Sequence, residues 1–135
     1  MSVKLKLDIA EKPADLERGL MFVRELPINT GMLFKFQRTQ PLSFWGLNTY
    51  IPLDIAFVDE NYKILKISNI KPFDQKSVCS NLKCKFAIET NQGFFDKNNI
   101  KEGFYIKIEE NPKIHKDSKI GKNNYVLVSF NEVEK

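Results

Sequence analysis

The sequence has few of the side chains on which most enzyme chemistry depends. Its 135 residues include one histidine, His115, and two cysteines, Cys79 and Cys84. A histidine-based catalytic system would have to use a residue in a polar, lysine-rich segment, and neither cysteine has an evident base nearby. A metal site would need more ligands than these. The sequence therefore predicts no metal and no cofactor, and it gives little support for catalysis.

Long apolar runs and clustered glycines are also missing. No apolar run approaches the 18 residues of a membrane span, and the N-terminal stretch MSVKLKLDIAEK alternates apolar and polar residues instead of forming an export signal. The six glycines are isolated, so no phosphate-binding loop is indicated. We expect a soluble protein without a membrane partner, located in the cytoplasm or, if phage-encoded, in a virion.

The charge is moderate and dispersed. The net charge is +4, and basic residues are spread along the chain, which favours a solvated surface over a nucleic-acid footprint. A composition of 42% hydrophobic and 28% charged residues is typical of one globular domain. The excess of lysine over arginine is what an AT-rich genome produces, and it suggests a phage source.

Hydrophobic patterning predicts a mainly β fold. Period-two alternation or short apolar runs indicate strands, and helical spacing indicates two short helices, over 13–24 and 94–99. Polar loops are expected over 37–43 and 71–83. The predicted strands are 2–9, 32–36, 44–50, 53–58, 63–70, 84–90 and 104–109, with a further apolar run at 125–130. We expect a compact antiparallel barrel or sandwich of the α+β class with a C-terminal extension.

The composition changes after residue 110. Residues 1–110 are expected to form the β domain, and 111–135 a lysine-rich linker followed by a short strand or arm. Deleting 111–135 is expected to leave a folded domain. An apolar strand at the end of such an extension can pair with the domain edge or with another protein. The candidate partner-binding residues are Tyr125, Val126, Leu127, Val128 and Phe130.

Polar residues enclosed by apolar sequence mark a candidate ligand pocket in the stretch 31–59 and its surroundings. A buried polar group without a partner costs about 1–3 kcal/mol, so each must be paired or functional. In a structural interpretation, Asn48 and Thr49 secure the bend before Pro52, and Arg18 pairs with Asp54 or Glu89. In a functional interpretation, these polar residues and the only tryptophan surround a small ligand. The candidate pocket residues are Arg18, Trp45, Asn48, Thr49, Asp54 and Glu89.

Several short motifs carry a resemblance to a known family. They are Arg18-Gly19-Leu20-Met21, Gly31-Met32-Leu33-Phe34, Phe44-Trp45, Asn48-Thr49 and Ile51-Pro52-Leu53-Asp54, followed by Glu89, Gly93, Ile100 and Gly103. With this spacing, residues 14–108 resemble the prokaryotic family of domain of unknown function 192. The resemblance implies a compact, mostly β domain without an assigned activity. Gly46 and Leu47 stand where the family usually carries Met and a basic or polar residue.

Two functional hypotheses follow. The first is a non-enzymatic binding or assembly module, in one version a virion-associated structural protein that contacts a partner through its C-terminal segment. The alternative is a small-molecule-binding domain or weak enzyme with a polar pocket beside Trp45.

Overall fold

The computed structural model describes residues 3–110 and 125–133 of the chain. In this part of the chain, seven strands and two short helices follow one another, and no helix is long and apolar enough to cross a membrane. The elements are β1 (Lys4–Ala10), α1 (Pro13–Arg18), β2 (Thr30–Phe44), β3 (Leu53–Val58), β4 (Ile64–Ile70), β5 (Val78–Asn91), α2 (Phe94–Lys97), β6 (Tyr105–Glu110) and β7 (Tyr125–Asn131). The predicted mainly β fold is confirmed.

The seven strands form one curled sheet in the order β4-β3-β5-β2-β1-β7-β6. Neighbours are antiparallel except β1 and β2, which are parallel and are connected through α1. The two edge strands meet at one end. There the Ile64 N–H donates to the Phe104 carbonyl and the Ile106 N–H to the Tyr62 carbonyl, both at 2.8 Å. This contact bends the sheet into a half-barrel.

Two apolar clusters lie on opposite faces of the sheet, because successive side chains of a strand point to opposite sides. The inner core, on the face that curls inward, receives side chains from all seven strands and from α2. It consists of Leu5, Leu7, Leu33, Ala56, Val58, Ile64, Phe86, Ile88, Phe94, Phe95, Ile100, Ile106, Val126, Val128 and Phe130. The outer core lies on the other face. It consists of Ala10, Leu20, Phe34, Leu42, Leu53, Ile55, Phe57, Ile70, Cys84 and Ala87.

The predicted loop over 37–43 and strand over 44–50 are wrong. β2 continues through the polar residues to Phe44, where it pairs with the start of β5, and its polar side chains are largely exposed. The chain then leaves the sheet at Gly46. A Cβ on this residue would lie 2.0 Å from the carbonyl oxygen of Lys71, so only glycine fits against the 71–74 loop.

The helix predicted over 13–24 ends at Arg18. Gly19 and Phe22 have φ angles of 51° and 68°, which are left-handed values incompatible with a continuing α-helix. A side chain on Gly19 would also meet the Phe34 ring at 3.1 Å. The predicted second helix is confirmed in part, as the four-residue α2.

The C-terminal strand is an interior strand of the sheet. β7 pairs with β1 on one side and with β6 on the other, and Val126, Val128 and Phe130 are buried in the inner core. The prediction that deleting 111–135 leaves a folded domain stays a prediction, and this placement argues against it because the deletion would separate β6 from β1. The lysine-rich segment 111–124, with His115, lies outside the described residues.

Candidate functional site

The candidate site lies above the outer face of the sheet, around Glu89. Glu89 on β5 is in register with Met32 on β2 and with Ile55 on β3. Directly opposite residues of neighbouring strands share a face, so all three side chains point toward the outer core. The neighbouring residue Ala87 belongs to the outer core, and Glu89 is thus an ionisable residue on an otherwise apolar part of the sheet.

Two irregular segments cover this face and are hydrogen-bonded to each other. The segment that follows α1 runs across the outer core, where the Leu20 side chain is buried. Its Phe22 N–H donates to the Asn48 carbonyl at 2.8 Å, and the Asn91 side chain donates to the Leu26 carbonyl at 2.8 Å. The cover is thereby attached both to the 45–50 loop and to the sheet.

Between cover and sheet lies a cavity of about 440 Å³. Its walls are mainly aromatic and aliphatic, and its polar groups are few. The aromatic and aliphatic lining residues include Phe34, Phe36, Phe44, Trp45, Leu16, Leu20 and Met21, and the polar ones are Glu17, Arg18, Ser43, Thr49 and Glu89. Such a volume with a small number of converging polar groups is typical of a small-molecule site.

Glu89 is the least expected of these polar groups. Its side chain is only 4% exposed, its carboxyl oxygens are accessible from the cavity, and no hydrogen-bond or ion-pair partner reaches them from the described ranges of the chain. Burial alone raises the pKa of the Glu89 carboxyl to about 8. The group is therefore mainly protonated at pH 7, and it faces the cavity as a hydrogen-bond donor and acceptor.

Four of the six candidate pocket residues line this cavity. Arg18, Trp45, Thr49 and Glu89 come together there, with Trp45 at the surface and 45% exposed. Arg18 is exposed at the end of α1 and, within the part of the chain that the structure describes, pairs with neither predicted carboxylate. The predicted ion pair that would lock the helix onto the sheet is therefore wrong.

Asn48 does not line the cavity and has a structural position. It adopts a φ of 55°, and its carbonyl accepts the bond from the cover segment at Phe22. The adjacent Thr49 hydroxyl donates to the Leu47 carbonyl at 3.3 Å, and the Thr49 N–H donates to the Gly46 carbonyl at 3.0 Å. These bonds hold the bend, as the structural interpretation predicts.

Asp54 lies on the opposite face of the sheet from Glu89. It is in register with Thr90, the residue that follows Glu89, so its side chain points to the other face. Its carboxylate accepts a hydrogen bond from the Phe95 N–H at 3.4 Å. Burial raises the pKa of the Asp54 carboxyl, and the backbone N–H groups of Gly93 and Phe95 oppose that shift. Asp54 thus secures the start of α2, and the two carboxyl groups cannot act as a catalytic pair.

Of the aromatic walls, only Trp45 is among the predicted site residues, and the three phenylalanines are not. Phe34 and Phe36 alternate along β2 and share the face of Met32, so their spacing was the available signal. Phe44 follows at the end of the same strand, and its ring packs edge-to-face on Phe34 with centroids 4.9 Å apart. A strand assignment that ended at residue 36 could not place Phe44 beside them.

A second cavity of about 630 Å³ lies on the other side of α1. Arg18, Gly19, Leu20 and Met21 border both cavities. None of the six residues of α1 is buried. The helix α1 therefore separates the two cavities and has empty space on both sides.

Residues 3–110 and 125–133 contain no side chains arranged to bind a metal ion or to carry out thiol chemistry. No group of three or more His, Cys, Asp and Glu side chains in these ranges is placed to hold a metal ion. Cys79 and Cys84 are both free thiols, and burial raises the pKa of Cys84.

Comparison with known proteins identifies relatives by sequence and by structure. The model of the family of domain of unknown function 192, described as an uncharacterised ACR, matches residues 1–108. A proposed transcription regulator from Sinorhizobium meliloti 1021 is 27% identical, with 76% of this chain and 91% of that chain covered and a TM-score of 0.70. A protein of unknown function from Novosphingobium aromaticivorans DSM 12444 is 33% identical, with 70% and 68% covered and a TM-score of 0.68. No curated protein matches the chain.

Proposed function

The chain belongs to the family of domain of unknown function 192, and we propose that it is a small-molecule-binding domain whose site is the cavity above Glu89. The observation that carries the proposal is the Glu89 carboxyl, which is buried, has no partner among the described residues and faces the cavity. Burying an unpaired carboxyl group destabilises a fold, and an apolar residue would fill this position at lower cost. A group of this kind is retained where a ligand completes its interactions.

The surroundings of Glu89 support the same proposal. The cavity of about 440 Å³ falls within the usual range for ligand sites, and its aromatic walls offer a large apolar contact area. The poor inventory of nucleophiles and bases favours binding over catalysis. A weak enzyme would have Glu89 as its only buried titratable group in this cavity.

The only tryptophan of the chain provides a test, because Trp45 borders the cavity. Benzyl alcohol is a neutral probe whose ring matches the apolar walls, and we expect it to change the Trp45 fluorescence with saturation in about the millimolar range. Ser43→Leu should abolish this saturable change by filling the cavity from its exposed rim.

Gln40→Leu is the matched control, since Gln40 is exposed on the same strand but does not line the cavity. It should leave the titration unchanged. An equal response in Ser43→Leu and in the unmodified chain would contradict the proposal.

The assembly hypothesis is the second candidate. Fewer side chains of β7 are exposed to a partner than this hypothesis assumes. Of its five candidate residues, Tyr125 and Leu127 are partly exposed, whereas Val126, Val128 and Phe130 are buried. The virion-associated version stays a prediction. Purification of the protein from its native source as a free 15.7 kDa chain would contradict it.

A further inference from the structure

We propose that the natural occupant of the cavity carries an organic ammonium group, which the Glu89 carboxylate and the aromatic walls bind together. This inference rests on the proposed function and adds to it the chemical class of the ligand.

The charged groups around the cavity favour a cation. Among the described residues, three titratable side chains line it: Glu17 and Arg18 from α1, and Glu89 from the sheet. Glu17 and Arg18 are exposed and opposite in sign, so water screens them and they largely compensate each other. Glu89 is buried, and no cation in the described part of the chain would compensate its charge once its proton is lost. A ligand with a positive charge would be the ion-pair partner that the Glu89 carboxylate lacks.

The aromatic walls favour the same class of ligand. Phe34, Phe36, Phe44 and Trp45 line the cavity together with the carboxyl group. The face of an aromatic ring is negative, and it attracts an ammonium group by about 0.5–2 kcal/mol. An anion would be repelled by the ring faces, and the hydrogen bond that the protonated Glu89 carboxyl could donate to it would be lost as the pH rises through about 8. A neutral acceptor would gain a single hydrogen bond from the protonated carboxyl and nothing from the ring faces.

Proton balance gives the inference a specific signature. In the free site Glu89 holds its proton up to about pH 8 because of burial. When an ammonium ion binds, the Glu89 proton leaves to solvent, and the ammonium N–H groups donate to the carboxylate. Below pH 8 one proton is therefore released per ligand, and the affinity rises about tenfold per pH unit until it levels near pH 8.

The test uses three probes of nearly equal size: benzylamine, benzyl alcohol and benzoate. Isothermal titration calorimetry at pH 6, 7 and 8 measures their affinities, and repetition in phosphate and in Tris buffer measures proton release. We expect benzylamine to bind at least about tenfold more tightly than benzyl alcohol at pH 8, with benzoate the weakest and about one proton released at pH 7.

Two variants separate the role of the charge from that of the shape. Glu89→Gln keeps the size of the side chain, and it should remove the preference for benzylamine, the proton release and the pH dependence while benzyl alcohol still binds. Glu60→Gln changes an exposed carboxylate that does not line the cavity, and it should change none of these. Its Trp45 emission spectrum and that of Glu89→Gln check that both variants are folded.

The outcomes distinguish this inference from the proposed function. If benzyl alcohol or benzoate binds as tightly as benzylamine, the cation inference is overturned and the binding site stands. If benzylamine binds without proton release, or equally well to Glu89→Gln, the role of Glu89 is overturned. Failure of all three probes to bind would overturn both proposals.

Discussion

The two faces of the curled sheet contain very different cores. The inner core draws apolar side chains from every strand, and the carboxyl group buried beside it, Asp54, is hydrogen-bonded to the backbone at the start of α2. The outer core is covered by a short helix and two irregular segments, with cavities of about 440 and 630 Å³, whereas the cavities that border the inner core are smaller, at about 360 and 300 Å³. Its buried carboxyl group, Glu89, has no such partner in the residues described.

Under the proposed function, the inner face stabilises the fold and the outer face binds the ligand. Close packing and paired polar groups stabilise a fold, whereas cavities and unpaired polar groups destabilise it. Sites for ligands commonly carry such local costs, and the rest of the domain offsets them.

The largest expected effect is the pH dependence of stability that Glu89 causes. The folded chain holds the Glu89 proton up to about pH 8, whereas the unfolded chain loses it near the ordinary pKa of 4.5. Between these values the unfolded state binds fewer protons, so the free energy of unfolding falls as the pH rises. The total loss is roughly 5 kcal/mol, and Glu89→Gln should remove it.

Urea unfolding of both chains from pH 4.5 to 8.5 measures this effect. The difference between the two curves isolates Glu89, because the other titrating groups are common to both. Glu17→Gln is the control and should follow the unmodified chain. Parallel curves for Glu89→Gln and the unmodified chain would show that the carboxyl is solvated, and the contrast between the faces would fail.

The next effect compares one leucine from each face. Leu7 is completely buried in the inner core, whereas Leu20 borders both cavities. Leu7→Ala should cost about 4 kcal/mol, since it opens a cavity in packed surroundings. Leu20→Ala should cost about 2 kcal/mol or less because part of its surface already faces empty space. Chemical denaturation of the two variants measures both losses of unfolding free energy. Equal losses would mean that the two leucines are packed equally well.

The alternation within β5 correctly predicts that Ala87 and Glu89 share a face. Alternation does not relate one strand to another, however, so the sequence could not show that Asp54 lies on the opposite side. That result depends on the register in which Ile55, and not Asp54, pairs with Glu89.

Long-range pairing explains the other differences between prediction and structure. The strand propensity of 125–130 is visible in the sequence, but its insertion between β1 and β6 requires contacts with residues near the start of the chain. The end of α1 depends on the left-handed conformation of Gly19 against the Phe34 ring, which helical spacing does not reveal. The cavity lies where α1 and the turn at Gly19 face the Phe34 side of β2.

A smaller effect tests the partnered carboxylate beside the inner core. Asp54→Ala removes the acceptor for the Phe95 N–H and should cost about 1–3 kcal/mol at pH 7. Glu89→Gln is expected to stabilise the chain at the same pH. Thermal unfolding should therefore show a lower stability for Asp54→Ala and a higher stability for Glu89→Gln. Such a result would mean that one buried carboxyl group stabilises the fold and the other destabilises it. Asp54→Asn retains one acceptor oxygen and should be intermediate, whereas stabilisation by Asp54→Ala would contradict the anchoring role.

The smallest effect concerns α1, the partition between the two cavities. Leu16 is its one partly buried residue, and Leu16→Ala should cost less than about 1 kcal/mol. The helix should also open locally at low free energy, because few buried contacts hold it in place. We therefore expect the Leu16 and Gly19 amides, which donate to the Lys12 and Asp15 carbonyls, to exchange with deuterium much faster than those of β2 and β5.

Amide exchange of α1 also relates the outer face to its proposed use. A ligand that occupies the cavity beneath the helix would add contacts to it, and saturating benzylamine should slow exchange at Leu16 and Gly19. Protection of α1 equal to that of β2 in the free protein would mean that the cover is as firmly packed as the sheet. The outer face would then be a second structural core, and the cavity would have no easily opened side through which a ligand could enter.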